Sequence, residues 1–185
     1  MSEQELLDLV NENDEIVGSA PRFECHSNPK LIHRVVHCWL VNAKGQFLWQ
    51  QRSMLKKQAP CMWDMSCGGH VLSGTNPSKE LTRELEEELG VRDIKTIFVE
   101  KYIRGNKTQT EMVHLYFGYC NMNANEFSLQ KEEVEQVKWF DYHEALTKFF
   151  NKELESTDFV FSQLSRVYQY LAKTYLNKNL ESRIS

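Results

Sequence analysis

Five glutamates fall within nine residues: Glu80, Glu84, Glu86, Glu87 and Glu88. No other segment gathers so much reactive oxygen. If the segment is helical, each residue advances ~100° around the axis. With Glu84 at zero, Glu88 falls near ~40°, Glu80 near ~−40° and Glu87 near ~−60°, so four carboxylates share one face. Like charges at i+3 and i+4 repel by roughly 0.2–0.5 kcal/mol per exposed pair. The C-terminal half of a helix is also the unfavourable end of its dipole for anions. A divalent cation would offset both penalties, and hard oxygen donors without thiolates suit Mg²⁺ or Mn²⁺. A solvated acidic face is the plain alternative for a glutamate run taken alone.

The elements around this cluster can be read from the same sequence. Asn76 is a good N-cap, Pro77 suits the first helical position and Gly90 suits a C′ stop, so a helix is expected over 77–89. Leu81, Leu85 and Leu89 repeat every four residues and form its buried stripe. Residues 33–41 (HRVVHCWLV) read as a strand, 42–45 as a turn with Gly45 at a positive φ, and 46–52 as the returning strand. A loop is expected over 53–65, then Gly68-Gly69 and a short Val71-Leu72 segment. Further strands are expected at 96–103, 110–119 and 134–140. Asp141 with Glu144 opens a helix over 142–150. A last helix spans 158–177, with Val160, Phe161, Leu164, Val167, Tyr168, Leu171 and Tyr175 on its apolar face; the tail beyond it is expected to fray. Residues 6–18 read as a small hairpin.

Composition narrows the function classes. The 185 residues carry 26 acidic and 22 basic side chains, a net charge of −4. That balance argues against a nucleic-acid polymer as partner, which calls for a basic face. No apolar run approaches the ~20 residues of a membrane span. The acidic start Met1-Ser2-Glu3-Gln4-Glu5 lacks the basic region of an export signal. Five cysteines without zinc-type spacing then read as reduced thiols, and the expected location is cytoplasmic.

The order Gly69, then Arg83-Glu84-Leu85-Glu86-Glu87-Glu88-Leu89-Gly90-Val91 resembles the Nudix box, G, five residues, E, seven residues, R-E-U-x-E-E-x-G-U. Gly69, Arg83, Glu84, Leu85, Glu87, Glu88, Gly90 and Val91 match; Thr75 stands where the box has its first glutamate. The resemblance implies water attack on a diphosphate with Mg²⁺ or Mn²⁺ as cofactor. It implies that Glu84, Glu87 and Glu88 hold metal, that the carbonyl of Gly68 adds a ligand, and that Arg83 orients a glutamate. The general base is then a box glutamate or one of Glu132, Glu133 and Glu135, with Glu133 carried forward. Glu80 is the candidate to compensate for Thr75.

Two further segments resemble type I isopentenyl diphosphate isomerase within the same superfamily. One is His33–Arg52 with Lys56 and Lys57; the other is Trp63–His70 (WDMSCGGH). That resemblance implies a metal held by His26, His33 and His70, and phosphate contacts from Arg22, Arg52 and Lys56. Ordinary surface histidines and solubilising charges are the bland alternatives. Trp63 and Trp139 either line the pocket or pack in the core. The isomerase cysteine belongs directly before Gly-His, where this chain has Gly68; Cys67 stands one place early. A one-residue shift in a strand turns a side chain to the other face, and only a bulge would restore it.

The expected fold is therefore a single α/β (α+β) Nudix domain over 1–185: a mixed β-sheet sandwiched between α-helices, with a core at 31–150, an N-terminal hairpin-like extension and the C-terminal helix. The expected activity is metal-dependent cleavage of a diphosphate linkage in a small nucleoside-diphosphate-like or other organic diphosphate. An isomerase-like enzyme and a non-catalytic ligand-binding module are the rivals. A homodimer and a monomer both stay open.

Overall fold

The computed structural model describes residues 4–184, with side chains as far as residue 174. Residues 1–3, part of the acidic start, and the Tyr175 side chain lie outside the described residues. β1 (Leu6–Val10) and β2 (Ile16–Pro21) pair as a hairpin and lead into the short α1 (Arg22–Cys25). Then come β3 (Ile32–Val41), β4 (Phe47–Arg52), β5 (Trp63–Asp64), β6 (Cys67–His70) and α2 (Pro77–Leu89). The long hairpin β7 (Thr96–Gly105) and β8 (Thr110–Tyr119) follows, then β9 (Val134–Phe140), α3 (Tyr142–Phe150) and α4 (Val160–Ile184).

All nine strands belong to one mixed sheet organised on β3. One edge of β3 runs parallel to β8 along its whole length, from Ile32↔Thr110 to Val41↔Tyr119. The other edge is shared: β1 pairs at His33, β6 over Val35–Cys38 and β4 at Val41. One strand therefore has three antiparallel partners in succession, which curls the sheet and leaves β6 with β3 as its sole strand partner.

Strand alternation divides β3 between two cores. Val36, Cys38 and Leu40 pack with Leu81, Leu85 and Leu89 of α2. Trp39 and Val41 pack with Leu164 and Val167 of α4 on the opposite face. The sheet is thus sandwiched between helices. α2 has the predicted bounds and caps. The Asn76 side chain accepts from Ser78 N at 2.9 Å, and Gly90 takes φ 68°. An added Cβ at Gly90 would meet Ser128 Cβ at 2.6 Å, so the helix stop is also a point of close packing.

Four features depart from the sequence expectation. The hairpin reaches Pro21 rather than 18, and α4 begins at Val160 with a backbone that continues past 177. The loop expected over 53–65 ends in β5, and the glycine pair lies inside a strand, β6. Strands this short, one of them half glycine, lack the run of β-branched residues that announces a strand.

Candidate functional site

The leucine stripe of α2 fixes where its carboxylates go. With Leu81, Leu85 and Leu89 buried against β3 and β6, Glu84 is pressed onto Gly69 so closely that any Cβ there would strike its side chain. Glu80, Glu84 and Glu88 are 1%, 2% and 4% exposed, whereas Glu87 and Glu86 face solvent. Arg83 ties the cluster together: it donates Nε–H to Glu80 Oε1 at 2.6 Å and its terminal nitrogens to Glu84 and Glu87. The buried carboxylate of Glu80 thus holds Arg83 from the preceding turn of the helix.

Glu133 joins the cluster from a loop hung on the C-terminal carbonyls of α2. Ser128 N donates to Leu89 O and Gln130 N to Glu88 O at 3.0 Å. Glu133 forms an ion pair with Lys56 and is close enough to raise the pKa of both Glu84 and Glu88. Glu132 and Glu135 are exposed. Burial is the largest cause lifting Glu84 to about 7 and Glu88 to about 8, followed for Glu88 by the charges of Glu84 and Glu133. Glu88 Oε2 is buried without a hydrogen-bond partner. A dense set of repelling oxygens with one lone pair left over is a donor set that a hard divalent cation fits.

The odd-numbered face of β3 carries a second polar cluster. His33, from β3, His70, from β6, and His26, just after α1, bring their ring nitrogens within 4.8 Å of one another. His26 Nε2 and His70 Nε2 are 2.8 Å apart, and the His33 and His70 rings stack at 5.4 Å. Burial pushes His33 down to about 4 and His70 well below the usual imidazole range, with Arg22 adding to the effect on His70. Both rings are therefore neutral at pH 7, the form that ligates metal.

His26 and His70 border a cavity of about 480 Å³. Arg22, Arg52, Lys56 and Gly68 line it. Arg52 donates Nε–H and Nη2–H to the Gln58 carbonyl and lies 3.4 Å from Asp64. Trp63 and Trp139, which sequence left between pocket and core, do not line it. Trp63 packs edge-on to Phe140 at 5.6 Å; Trp139 donates Nε1–H to Met122 O at 3.0 Å and packs with the α2 core. Large apolar rings gain from burial; Trp63 is buried, and Trp139 is half-buried against the α2 core.

The cavity also contains residues that the sequence reading did not single out: His37, Asp64, Arg104 and Phe159. Strand parity placed His37 on the face of His33, a signal available from the sequence. The others come from β5, β7 and the residue before α4, which meet there because the sheet curls.

A model of the NUDIX domain family matches residues 31–160. The chain belongs to the Nudix family. It is 31% identical to an uncharacterized Nudix hydrolase of Clostridium acetobutylicum, over 96% of this chain and 89% of that protein. It is 37% identical to an isopentenyl-diphosphate Delta-isomerase of Streptomyces avermitilis, but over 46% of this chain and 44% of the relative. The crystal structure of DR0079 from Deinococcus radiodurans superposes with a TM-score of 0.76 at 25% identity, covering 89% of this chain and 99% of that one.

Within this Nudix fold the register settles where Cys67 points. Pairing runs unbroken from Cys38↔Cys67 to Val35↔His70, with no bulge at the glycines. Cys67 therefore lies on the α2 face, fully buried beside Glu88, and burial holds its thiol well above the usual range. Gly68 takes the cavity face. A Cβ there would meet Met65 Cε at 2.6 Å and His37 Cδ2 at 3.1 Å. The cavity side has no thiol at the isomerase position.

Among the described residues no helix is long and apolar enough to cross a membrane, and all five cysteines are free.

Proposed function

We propose that this Nudix protein is a divalent-metal-dependent hydrolase that cleaves a diphosphate linkage in a small organic diphosphate, releasing phosphate or a monophosphate. The observation that carries the reading is the cluster of buried Glu84 and Glu88 with half-buried Glu133, with an unpartnered oxygen on Glu88, beside a cavity bearing Arg22, Arg52 and Lys56. Glu84, Glu87 and Glu88, with the Gly68 carbonyl, are the residues that would hold Mg²⁺ or Mn²⁺; His26, His33 and His70 would hold a second ion. A bound divalent cation supplies an acidified water and neutralises phosphate oxygens.

The chain's own groups do the rest. Arg83 fixes the Glu84 and Glu87 carboxylates, itself anchored by Glu80. Arg22 offers a guanidinium fork suited to diphosphate oxygens, and Arg52 would offer one by exchanging the Gln58 carbonyl for phosphate. Glu133, held by Lys56, is placed to take the proton of the attacking water.

The test is metal-dependent phosphate or monophosphate release across a panel of diphosphates. Turnover by the wild type and none by Glu88→Gln supports the reading. No turnover of any member with Mg²⁺ or Mn²⁺ refutes it. The histidine trio favours an isomerase-like second reading, which the missing thiol at Gly68 opposes. Conversion of isopentenyl diphosphate to its dimethylallyl isomer would support that rival instead.

A further inference from the structure

On the cavity wall Arg22, Lys56, Arg104 and Arg52 each stand against a carboxylate: Glu5, Glu133, Glu111 and Asp64 in turn. Asp64 is the most deeply buried of these carboxylates, with its side chain 2% exposed. It is also fixed by partners other than its cation. Met65 N–H donates to Oδ1 at 2.9 Å, and the Thr157 hydroxyl donates to the same oxygen at 3.1 Å. Asp64 belongs to β5, and Thr157 to the segment before α4 that runs beside it. Trp63 N donates to Glu155 O at 2.8 Å and Thr157 N to Trp63 O at 3.1 Å. The carboxylate is therefore clamped between two parts of the fold, with Oδ2 turned to Arg52 Nη1 at 3.4 Å. An ionised carboxylate only accepts, and all three of these partners donate. Burial pushes the carboxyl up, and the charge of Arg52 is the largest influence acting against it.

Arg52 divides its guanidinium between two partners. Nη1 faces Asp64. Nε and Nη2, on the other edge, donate to the Gln58 carbonyl at 3.2 and 3.1 Å. Gln58 is an exposed residue of the 53–62 loop. A phosphate is the stronger partner for a guanidinium edge, because it is charged and accepts two parallel bonds. The Nε–Nη2 edge is thus the one a diphosphate can take over. An arginine released from both partners would have to be ordered again on binding, at a cost in side-chain entropy.

We propose that Asp64 is a positioning residue for diphosphate binding: it keeps one edge of the Arg52 guanidinium at the cavity wall while the other edge passes from the Gln58 carbonyl to phosphate oxygens. This rests on the hydrolase reading above. Asp64→Asn retains an acceptor for Met65 and Thr157 but turns an amide NH₂ toward Arg52, donor against donor.

The test is a double-mutant cycle read by calorimetry, with methylenediphosphonate as the probe and Mg²⁺ saturating. Asp64→Asn should weaken binding about tenfold in the wild-type background and less than about twofold in an Arg52→Gln background. KM for a diphosphate that the enzyme turns over should rise in step, with a smaller change in kcat. A cooperative thermal melt checks that each variant is folded. Should Asp64→Asn fail that check, Thr157→Val removes one clamp on Asp64 and supplies the same cycle, with about a threefold loss expected. Wild-type affinity in the folded variant, or an equal loss in both backgrounds, overturns the proposal. Phosphate release by the wild type is scored separately, so the hydrolase reading survives that outcome. A wild type that neither binds the diphosphonate nor turns over any diphosphate overturns both.

Discussion

The two faces of the β3–β6 ribbon carry polar clusters that burial has treated oppositely. On the α2 face, loss of water has driven Glu84 and Glu88 up to about 7 and about 8. On the cavity face, it has driven His33 down to about 4 and His70 well below its usual range. The physics is the same in both places: a poorly solvated site disfavours whichever form is charged. The consequences differ. The carboxylates must lose protons to bind a cation, while the histidines already stand in their ligating form. One face should therefore respond to pH near neutrality, and the other should not.

The largest effect expected is on turnover. Glu88→Gln should lower kcat by roughly 10²–10³-fold, the size seen when one preorganised electrostatic group is removed. Phosphate release with saturating Mg²⁺ measures this, and Glu87→Gln is the companion variant. Full activity in both would remove the metal assignment on the helix.

Metal affinity separates the two faces directly. Wild-type Mn²⁺ affinity, followed by calorimetry, should rise between pH 6 and 9, by about tenfold per pH unit for each proton released. In a Glu84→Gln/Glu88→Gln double variant, any Mn²⁺ held by the histidines should show no such slope above pH 6.5. A steep slope surviving in the double variant would assign the titration elsewhere.

Stability without metal should carry both signs. Glu84 and Glu88 have raised folded-state pKa values, so their contribution is fully present below about pH 4.5 and is lost as pH climbs through 7 to 8. The His33 value is lowered, so its contribution is present above about pH 6.5 and is lost as pH falls toward 4. Thermal melts in chelator should fall from pH 6 to pH 8.5, and Glu88→Gln should flatten that decline. At this chain length each kcal/mol moves the midpoint by roughly 2–4 °C.

Smaller effects test the supports. Glu80→Gln should reduce activity by about 10–100-fold, in the range of partners that orient ligands, with Thr75→Glu in the same chain restoring part of it. Trp139→Phe should leave KM within about twofold and cost roughly 1 kcal/mol of stability for its lost hydrogen bond. A large KM effect from Trp139→Phe would return that ring to the pocket.

The carboxylate side was legible because its signals are local. Asn76, Pro77, Gly90 and the leucine repeat define α2 within fifteen residues, and the helical period then groups Glu80, Glu84 and Glu88, while Glu87, at the edge of that face, is exposed. The cavity side was legible only in part. His26 and His33 lie seven residues apart and His70 far along the chain, and a family resemblance grouped them. His37 needed only strand parity. Asp64, Arg104 and Phe159 needed the curl of the sheet, which depends on β3 sharing one edge among β1, β6 and β4. No local pattern encodes that sharing, and β5 and β6 are too short to announce themselves. The position of Cys67 was a question of register, and an unbroken ladder across two glycines answered it.

The central claim is that the buried face of α2 is a divalent-cation site serving diphosphate hydrolysis. Anomalous diffraction from crystals soaked in Mn²⁺ together with a non-hydrolysable methylenediphosphonate tests it most directly. The account predicts a manganese peak among Glu84, Glu87 and Glu88 with the diphosphonate beside it, toward Arg52 and Lys56. Manganese at the three histidines alone, with none at the helix, would contradict it.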